Sequence, residues 1–243
     1  MKIKNPAKLL IISAILLISV MTILGQKTTW KVENAGAMRE MFETGNVAGK
    51  TDISKIIPQK NLYAVGPLEN LSGEIMIWNG KVLTSFMNDK SVKVETNPNA
   101  KAVFFVWANV EKWREISIPN TIKTYDELEE FIAESAEKFN LNSAEPFPFL
   151  LKGRFQTVEW HINDYKPDGT KLTREKHDML KYKTKSENKK LEMLGFYSSK
   201  HKGVFTHHTR TTHIHATDKK KTFVGHVDDL KIREKVKLFL PIK

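Results

Sequence analysis

Six runs rich in β-branched and aromatic residues follow Pro146, and they constrain this chain more than any other feature. They are Phe147 to Leu151, Arg154 to Ile162, Leu191 to Tyr197, Thr211 to Thr217, Thr222 to Leu230 and Val236 to Leu240. Each has the length of a strand and is bounded by polar breaks. The same texture recurs earlier in Asn61 to Pro67, Gly73 to Trp78, Val82 to Phe86 and Ala102 to Val110, with Asn79-Gly80 as a two-residue hairpin signal. Only two segments read as helices. In Val32 to Val47, Ala37, Met38, Met41 and Phe42 recur at helical spacing before Gly45. Thr124 and Glu127 form a capping box ahead of Leu128, Phe131, Ile132, Ala136 and Phe139. Many strands with two segregated helices imply an α+β fold of two sheets. Residues 26–243 read as one domain, with sub-domains 30–142 and 143–243 meeting at a seam near Asn140 to Pro146. Asp164 to Asn188, polar and lysine-rich, reads as a surface loop or extended ribbon.

Residues 1–25 stand apart. Lys2, Lys4 and Lys8 precede sixteen residues, Leu9 to Leu24, with no charge, the layout of an export signal. The run is short of the ~20 residues that span a bilayer comfortably, and the cleavage site ahead of Gln26 is poor. A cleaved signal and a membrane anchor through residues 9–24 are therefore both open, and both place the remainder outside the cytoplasmic membrane, periplasmic or extracellular. The formal charge of +11 includes those three lysines, leaving +8 that is dispersed and lysine-dominated. No nucleic-acid-binding module interleaves arginines with aromatics, so nucleic acid is not an expected partner. The surplus suits a small anionic molecule, with a second copy of the chain, as a homodimer, the protein partner entertained.

Cysteine is absent, which removes disulfides, thiol catalysis and Cys-ligated metals, so any metal must sit on His, Asp or Glu. Five of the eight histidines, His201, His207, His208, His213 and His215, fall within fifteen residues, and His226 follows. On a strand, His213 and His215 project from one face about 6.6 Å apart. A two-residue loop at Lys219-Lys220 would set His213 opposite His226 and His215 opposite Val224. The three imidazoles would then form a triangle of about 5 to 7 Å, open on one side, as a divalent ion requires. A solvated hairpin face is the competing reading, because a loop of other parity sends His226 to the opposite side. His201, His207 and His208 read as exposed. Glu74 opens an apolar strand and is either solvated or an inward group with a task. In Gly153 to His161, alternation puts Arg154 and Trp160 on one face, with Glu159 and His161 on the other.

The order of Glu74 in a small-Gly-Glu strand, a helix, a Gly-x-Phe strand, Gly195-Phe196-Tyr197, His213-Ile214-His215 and Gly225-His226 resembles the α-acetolactate decarboxylase family. The resemblance runs from about Ala35 to Leu230. It implies two mixed β-sheet layers with a metal in the cleft between them. It also implies Zn²⁺ held by His213, His215 and His226, with Glu74 as a catalytic or substrate-contacting carboxylate. The implied reaction is decarboxylation of 2-acetolactate to acetoin through a metal-stabilised enediolate. Two positions depart from the pattern. His161 stands where the family has an arginine for the substrate carboxylate, which makes His161 a candidate catalytic group and leaves Arg154 and Arg210 to hold the anion. A second family glutamate, carried beyond the point where this chain stops, is expected to be missing. The alternative is an exported metal-binding protein of the same fold that has lost the activity or acts on another oxo-acid.

Overall fold

A computed structural model describes residues 30–242 of the chain, which form one compact unit. The expected leader, residues 1–25, lies outside the described residues. The strands are antiparallel throughout their named pairings, where mixed sheets were the expectation.

Chain order begins with β1 (Val32–Ala35), α1 (Met38–Thr44), β2 (Thr51–Asp52), β3 (Leu62–Pro67), β4 (Glu74–Trp78) and β5 (Lys81–Asn88). It continues through β6 (Ser91–Glu95), β7 (Lys101–Ala102), β8 (Phe105–Asn109) and β9 (Trp113–Ser117) to α2 (Tyr125–Lys138). The remainder is β10 (Phe147–Asn163), α3 (Arg174–Met179), β11 (Lys181–Glu187), β12 (Lys190–Tyr197), β13 (Thr212–Thr217), β14 (Gly225–Ile232) and β15 (Lys237–Pro241). The first sheet has the order β1-β8-β3-β4-β5-β6. The second runs β12-β13-β14-β10-β15-β9, with β11 also on β10. β10 further pairs with β12, so β12, β13, β14 and β10 close a ring. A two-stranded sheet of β2 and β7 completes the set.

Side-chain alternation sorts the strands into layers. On β4, Ile75 and Ile77 join the outer core with Leu62 and Ala64, whereas Met76 joins the interlayer core with Val65, Val106, Leu194 and Phe196. Glu74 shares the parity of Met76 and so faces the second sheet. On β13, Ile214 and Ala216 pack into the core under α2 with Leu128, Ile132 and Phe149. His213 and His215 alternate to the opposite, interlayer face. The fold thus turns both groups of polar residues into the same gap between layers.

The Asn79-Gly80 turn forms as expected, both residues at positive φ (50° and 79°), joining β4 to β5. The capping box at Thr124 and Glu127 is present and opens α2. Three expectations need correction. The helix over Val32 to Val47 is instead β1 followed by α1, because Gly36 breaks it at φ +69°, where a Cβ would lie 2.5 Å from the Val103 carbonyl oxygen. Gly45 does stop α1 in the left-handed conformation. The runs Phe147 to Leu151 and Arg154 to Ile162 are one strand, β10. Part of Asp164 to Asn188 is ordered as α3 and β11, a lysine-rich edge strand.

Candidate metal centre and its cavity

β13 and β14 bring the three histidines together, though not in the expected register. His215, not His213, lies opposite His226, and Ala216 lies opposite Gly225. The connection is wider than two residues because Asp218 closes it. Its carbonyl accepts from the Lys221 N–H at 3.0 Å. Its carboxylate accepts from the Thr222 N–H at 2.9 Å and hydroxyl at 2.7 Å. The register moves by two residues, an even number, so the three imidazoles still share a face. Their candidate ligand atoms all lie within 4.8 Å of one another. Ring centroids are 4.9, 4.9 and 5.6 Å apart.

The residues present fit a metal ion. The Nε2 atoms of His213 and His215 are 3.1 Å apart, close to the ~3.3 Å between two nitrogens bound at about 2.0–2.1 Å to one tetrahedral zinc. Both rings are buried, and their Nδ1 atoms have no well-formed hydrogen bond, only weaker contact with the Phe205 and Ile75 backbones. Burial drives His213 down to about 3 and His215 and His226 well below the usual imidazole range. All three are therefore neutral near pH 7 and offer lone pairs. His213, His215 and His226 are placed to hold one metal ion.

Glu74 borders this triad. It is buried, with Oε2 3.5 Å from His215 Nε2. Oε1 accepts from the Asn163 side-chain amide at 2.6 Å and backbone N–H at 3.2 Å. Asn163 Oδ1 in turn meets His177 Nε2 at 2.7 Å. Burial raises Glu74 well above the usual carboxylate range, against the Asn163 bonds and the Lys181 charge. Burial therefore favours the protonated form of this carboxyl. With Oε1 already accepting two N–H groups, Oε2 is the oxygen left to carry a proton.

His161 continues the row of imidazoles, opposite His226 across β10 and β14 with ring centroids 4.8 Å apart. The β10–β14 ladder is irregular between Glu159 and Trp160, leaving Asp228 outside the regular pairing. Both Asp228 carboxylate oxygens lie 2.8 Å from His161 Nδ1, which fixes that ring.

A cavity of about 500 Å³ opens over these groups. Arg210 lines it, but its guanidinium pairs with Asp126, reaches Glu129 at 3.6 Å and stacks 4.2 Å over Tyr125. Arg154 does not reach it: it is exposed and donates to the Asn188 carbonyl beside a different hollow. Seven residues of β10, roughly 20 Å of strand, separate it from His161, and the expectation that it contacts substrate here is corrected. Two lining cations escaped the sequence reading, Arg174 of α3 and Lys181 of β11. Lys181, whose side chain is 14% exposed, lies opposite Asn163 in the β10–β11 ladder. Its counter-ion Asp178, at 3.6 Å, sits closer to Lys183 at 2.6 Å. Arg174 stacks on Phe42 at 4.6 Å and has no ion pair among the described residues. His207 and His208 also line the cavity; His208 is exposed, as expected, whereas His207 is half-buried and His201 bonds Ser198. Only their closeness to the His pair in sequence hinted at this.

Comparison with known proteins agrees with this arrangement. The chain matches the alpha-acetolactate decarboxylase family over residues 36–241. Alpha-acetolactate decarboxylase from Bacillus subtilis strain 168 superposes with a TM-score of 0.69 at 16% identity, covering 87% of this chain and 85% of that one. Acetolactate decarboxylase from Bacillus subtilis subspecies spizizenii gives 0.70 at 16%, covering 88% and 86%. A Staphylococcus aureus protein of unknown function, described as similar to alpha-acetolactate decarboxylase, gives 0.67 at 17%, covering 86% and 84%. No curated protein sequence matches. Because the family match takes in both sheets, Glu74 and the three histidines, this chain belongs to the alpha-acetolactate decarboxylase family.

Proposed function

We propose that this protein is a zinc-dependent decarboxylase that converts 2-acetolactate to acetoin and carbon dioxide. The observation that carries the reading is the open-sided triad of neutral imidazoles with a buried carboxyl of raised pKa beside it, at the base of a cavity that also presents cations, in a member of this family.

The chemistry asks for three things. The bond from the carboxylate carbon to the adjacent carbon breaks, carbon dioxide departs, and the electron pair left behind delocalises into an enediolate. His213, His215 and His226 would hold a divalent ion, which would supply Lewis acidity for that developing charge when bound. The chain supplies the rest. Lys181 and Arg174 attract and orient the anionic substrate within the cavity. Glu74 Oε2 delivers the proton that converts the enediolate to the neutral hydroxyketone, while Asn163 holds the carboxyl by its other oxygen. Asp228 keeps His161 in one orientation against the triad. Export belongs to the same reading and rests on Lys2 to Leu24 alone; amino-terminal sequencing of the protein recovered from its native compartment tests it.

The test uses the full chain. Metal content is measured on the purified protein, and acetoin is followed from racemic acetolactate. One zinc per chain with turnover abolished by chelation and restored by zinc is the expected result. Protein that takes up no zinc, or zinc-loaded protein without turnover, overturns the reading. A second reading, another 2-hydroxy-3-oxo acid as substrate, is favoured by the position of Lys181 and Arg174, which enter from a different element than Gly153 to His161. Zinc-loaded protein inactive on acetolactate but active on a homologous oxo-acid would select it.

A further inference from the structure

A second hollow, of about 630 Å³, is lined by Lys152, Arg154, Lys190, Arg233 and Lys235 against a single carboxylate, Glu234. Its organisation differs from that of a solvated basic surface. The guanidiniums of Arg154 and Arg233 converge on one neutral residue: Arg154 donates to the Asn188 carbonyl, and Arg233 donates to Asn188 Oδ1 at 2.8 Å. Asn188 is fixed from the other side, since its N–H donates to the Gln156 carbonyl at 2.9 Å and its φ of 50° turns β11 into β12. The neighbouring Phe155 N–H donates to the Lys189 carbonyl at 3.0 Å. Arg154 also lies directly opposite Lys190 in the β10–β12 ladder, a like-charge cross-strand pair that costs stability unless something neutralises it. Arg154, Arg233, Lys190 and Lys235 form no ion pair among the described residues.

We propose that Arg154 and Arg233, held together by Asn188, form a binding site for a phosphate group. Two guanidinium forks on a rigid turn suit a tetrahedral oxyanion better than a single carboxylate, because each fork can donate two N–H groups to separate oxygens. Lys190 and Lys235 add charge that favours a dianion over a monoanion. The site is separate from the triad cavity, with which it shares no lining residue, so it neither needs nor tests the decarboxylase reading. The phosphate could be free or carried on a lipid headgroup.

The test compares full-length protein with Arg154→Gln/Arg233→Gln and with Lys60→Gln/Lys93→Gln, which removes the same charge from exposed positions elsewhere. Binding of inorganic phosphate is followed by calorimetry at low ionic strength. The expected result is saturable binding of one phosphate per chain, weakened about tenfold or more in the arginine variant and less than about twofold in the lysine variant. Vesicles of phosphatidic acid, a phosphomonoester, and of phosphatidylcholine locate the source. A phosphatidic acid preference lost in the arginine variant identifies a headgroup, and phosphate binding without that preference identifies a soluble ligand. No saturable phosphate binding, or equal weakening in the two variants, overturns the proposal.

Discussion

Acidification of the metal-free protein should unfold it well above the pH at which its carboxylates lose their charge. Five imidazoles, His161, His177, His213, His215 and His226, are buried or half-buried in and behind the cavity wall. Burial holds His213 and His177 near 3 and His215 and His226 well below the ordinary value. In the unfolded chain each takes up a proton near pH 6.5. The folded state therefore binds fewer protons below that pH, so the stability these groups contribute is whole above 6.5 and is lost as the pH falls toward their folded values. At pH 5.5 each of His177, His213, His215 and His226 costs about 1.5 kcal/mol, or about 6 kcal/mol for the four. Glu74 works in the opposite sense. Its raised pKa means that the folded state binds a proton more readily than the unfolded carboxylate, which offsets part of that loss, by at most about 3 kcal/mol for one proton over two pH units. The net loss of at least about 3 kcal/mol is a large part of an ordinary domain's 5–15 kcal/mol. Urea unfolding of chelator-treated protein at pH 7.5 and 5.5, read by tryptophan fluorescence, measures it. Equal midpoints at the two pH values would refute the assignment of these histidines as buried and neutral. Zinc at about one hundred times its Kd should add about 2.7 kcal/mol at pH 7.5, with a smaller gain at pH 5.5, where protons compete for the same nitrogens.

Three substitutions separate the roles around the triad. His215→Ala should reduce bound metal from one per chain to near zero and reduce acetoin formation to background, whereas His201→Ala should leave both unchanged; metal analysis with the acetoin assay decides. Lys181→Met should raise KM for acetolactate by about tenfold with metal content intact, as expected for loss of a cation from a partly desolvated anion contact, and Lys181→Arg should recover most of the loss. Asn163→Ala removes the 2.6 Å bond to Glu74. Because that bond favours the charged carboxylate, the alkaline limb of the kcat profile should move to higher pH, with kcat reduced about tenfold by the freer carboxyl; a fall in activity at unchanged pH profile would make Asn163 merely structural.

The elements legible in the sequence are those specified by local chemistry. Thr124 with Glu127 and Asn79 with Gly80 each encode a complete hydrogen-bonding or dihedral requirement within four residues, and both appear where they were expected. β11 was not legible as a strand because Lys181 to Glu187 carries no alternating apolar face; it is ordered by backbone pairing to β10 across residues 157–163. Gly36 ended a helical pattern for a tertiary reason, the close approach of the Val103 carbonyl, that no local rule contains. Nothing in Trp113 to Ser117 announced that β9 would cross from the first half of the chain to pair with β15 in the second sheet.

The candidate site divides along the same line. The triad could be found from spacing because only parity had to be right: the Asp218 cap displaced the hairpin register by two residues, and the histidines stayed on one face. The anion-facing cations could not be found that way. Arg154 sits near His161 in sequence yet roughly 20 Å away along β10, beside a different hollow, while Lys181 reaches the cavity only because β11 folds back beside Asn163. A metal cradle built on one hairpin is encoded over fourteen residues, from His213 to His226. The group that orients the substrate is set by pairing between strands whose sequences show no sign of the partnership. Within this chain, then, substrate choice can change through the 164–188 segment while β13 and β14 keep the metal ligands unchanged, and exchanging that segment should alter KM among oxo-acids without altering metal content.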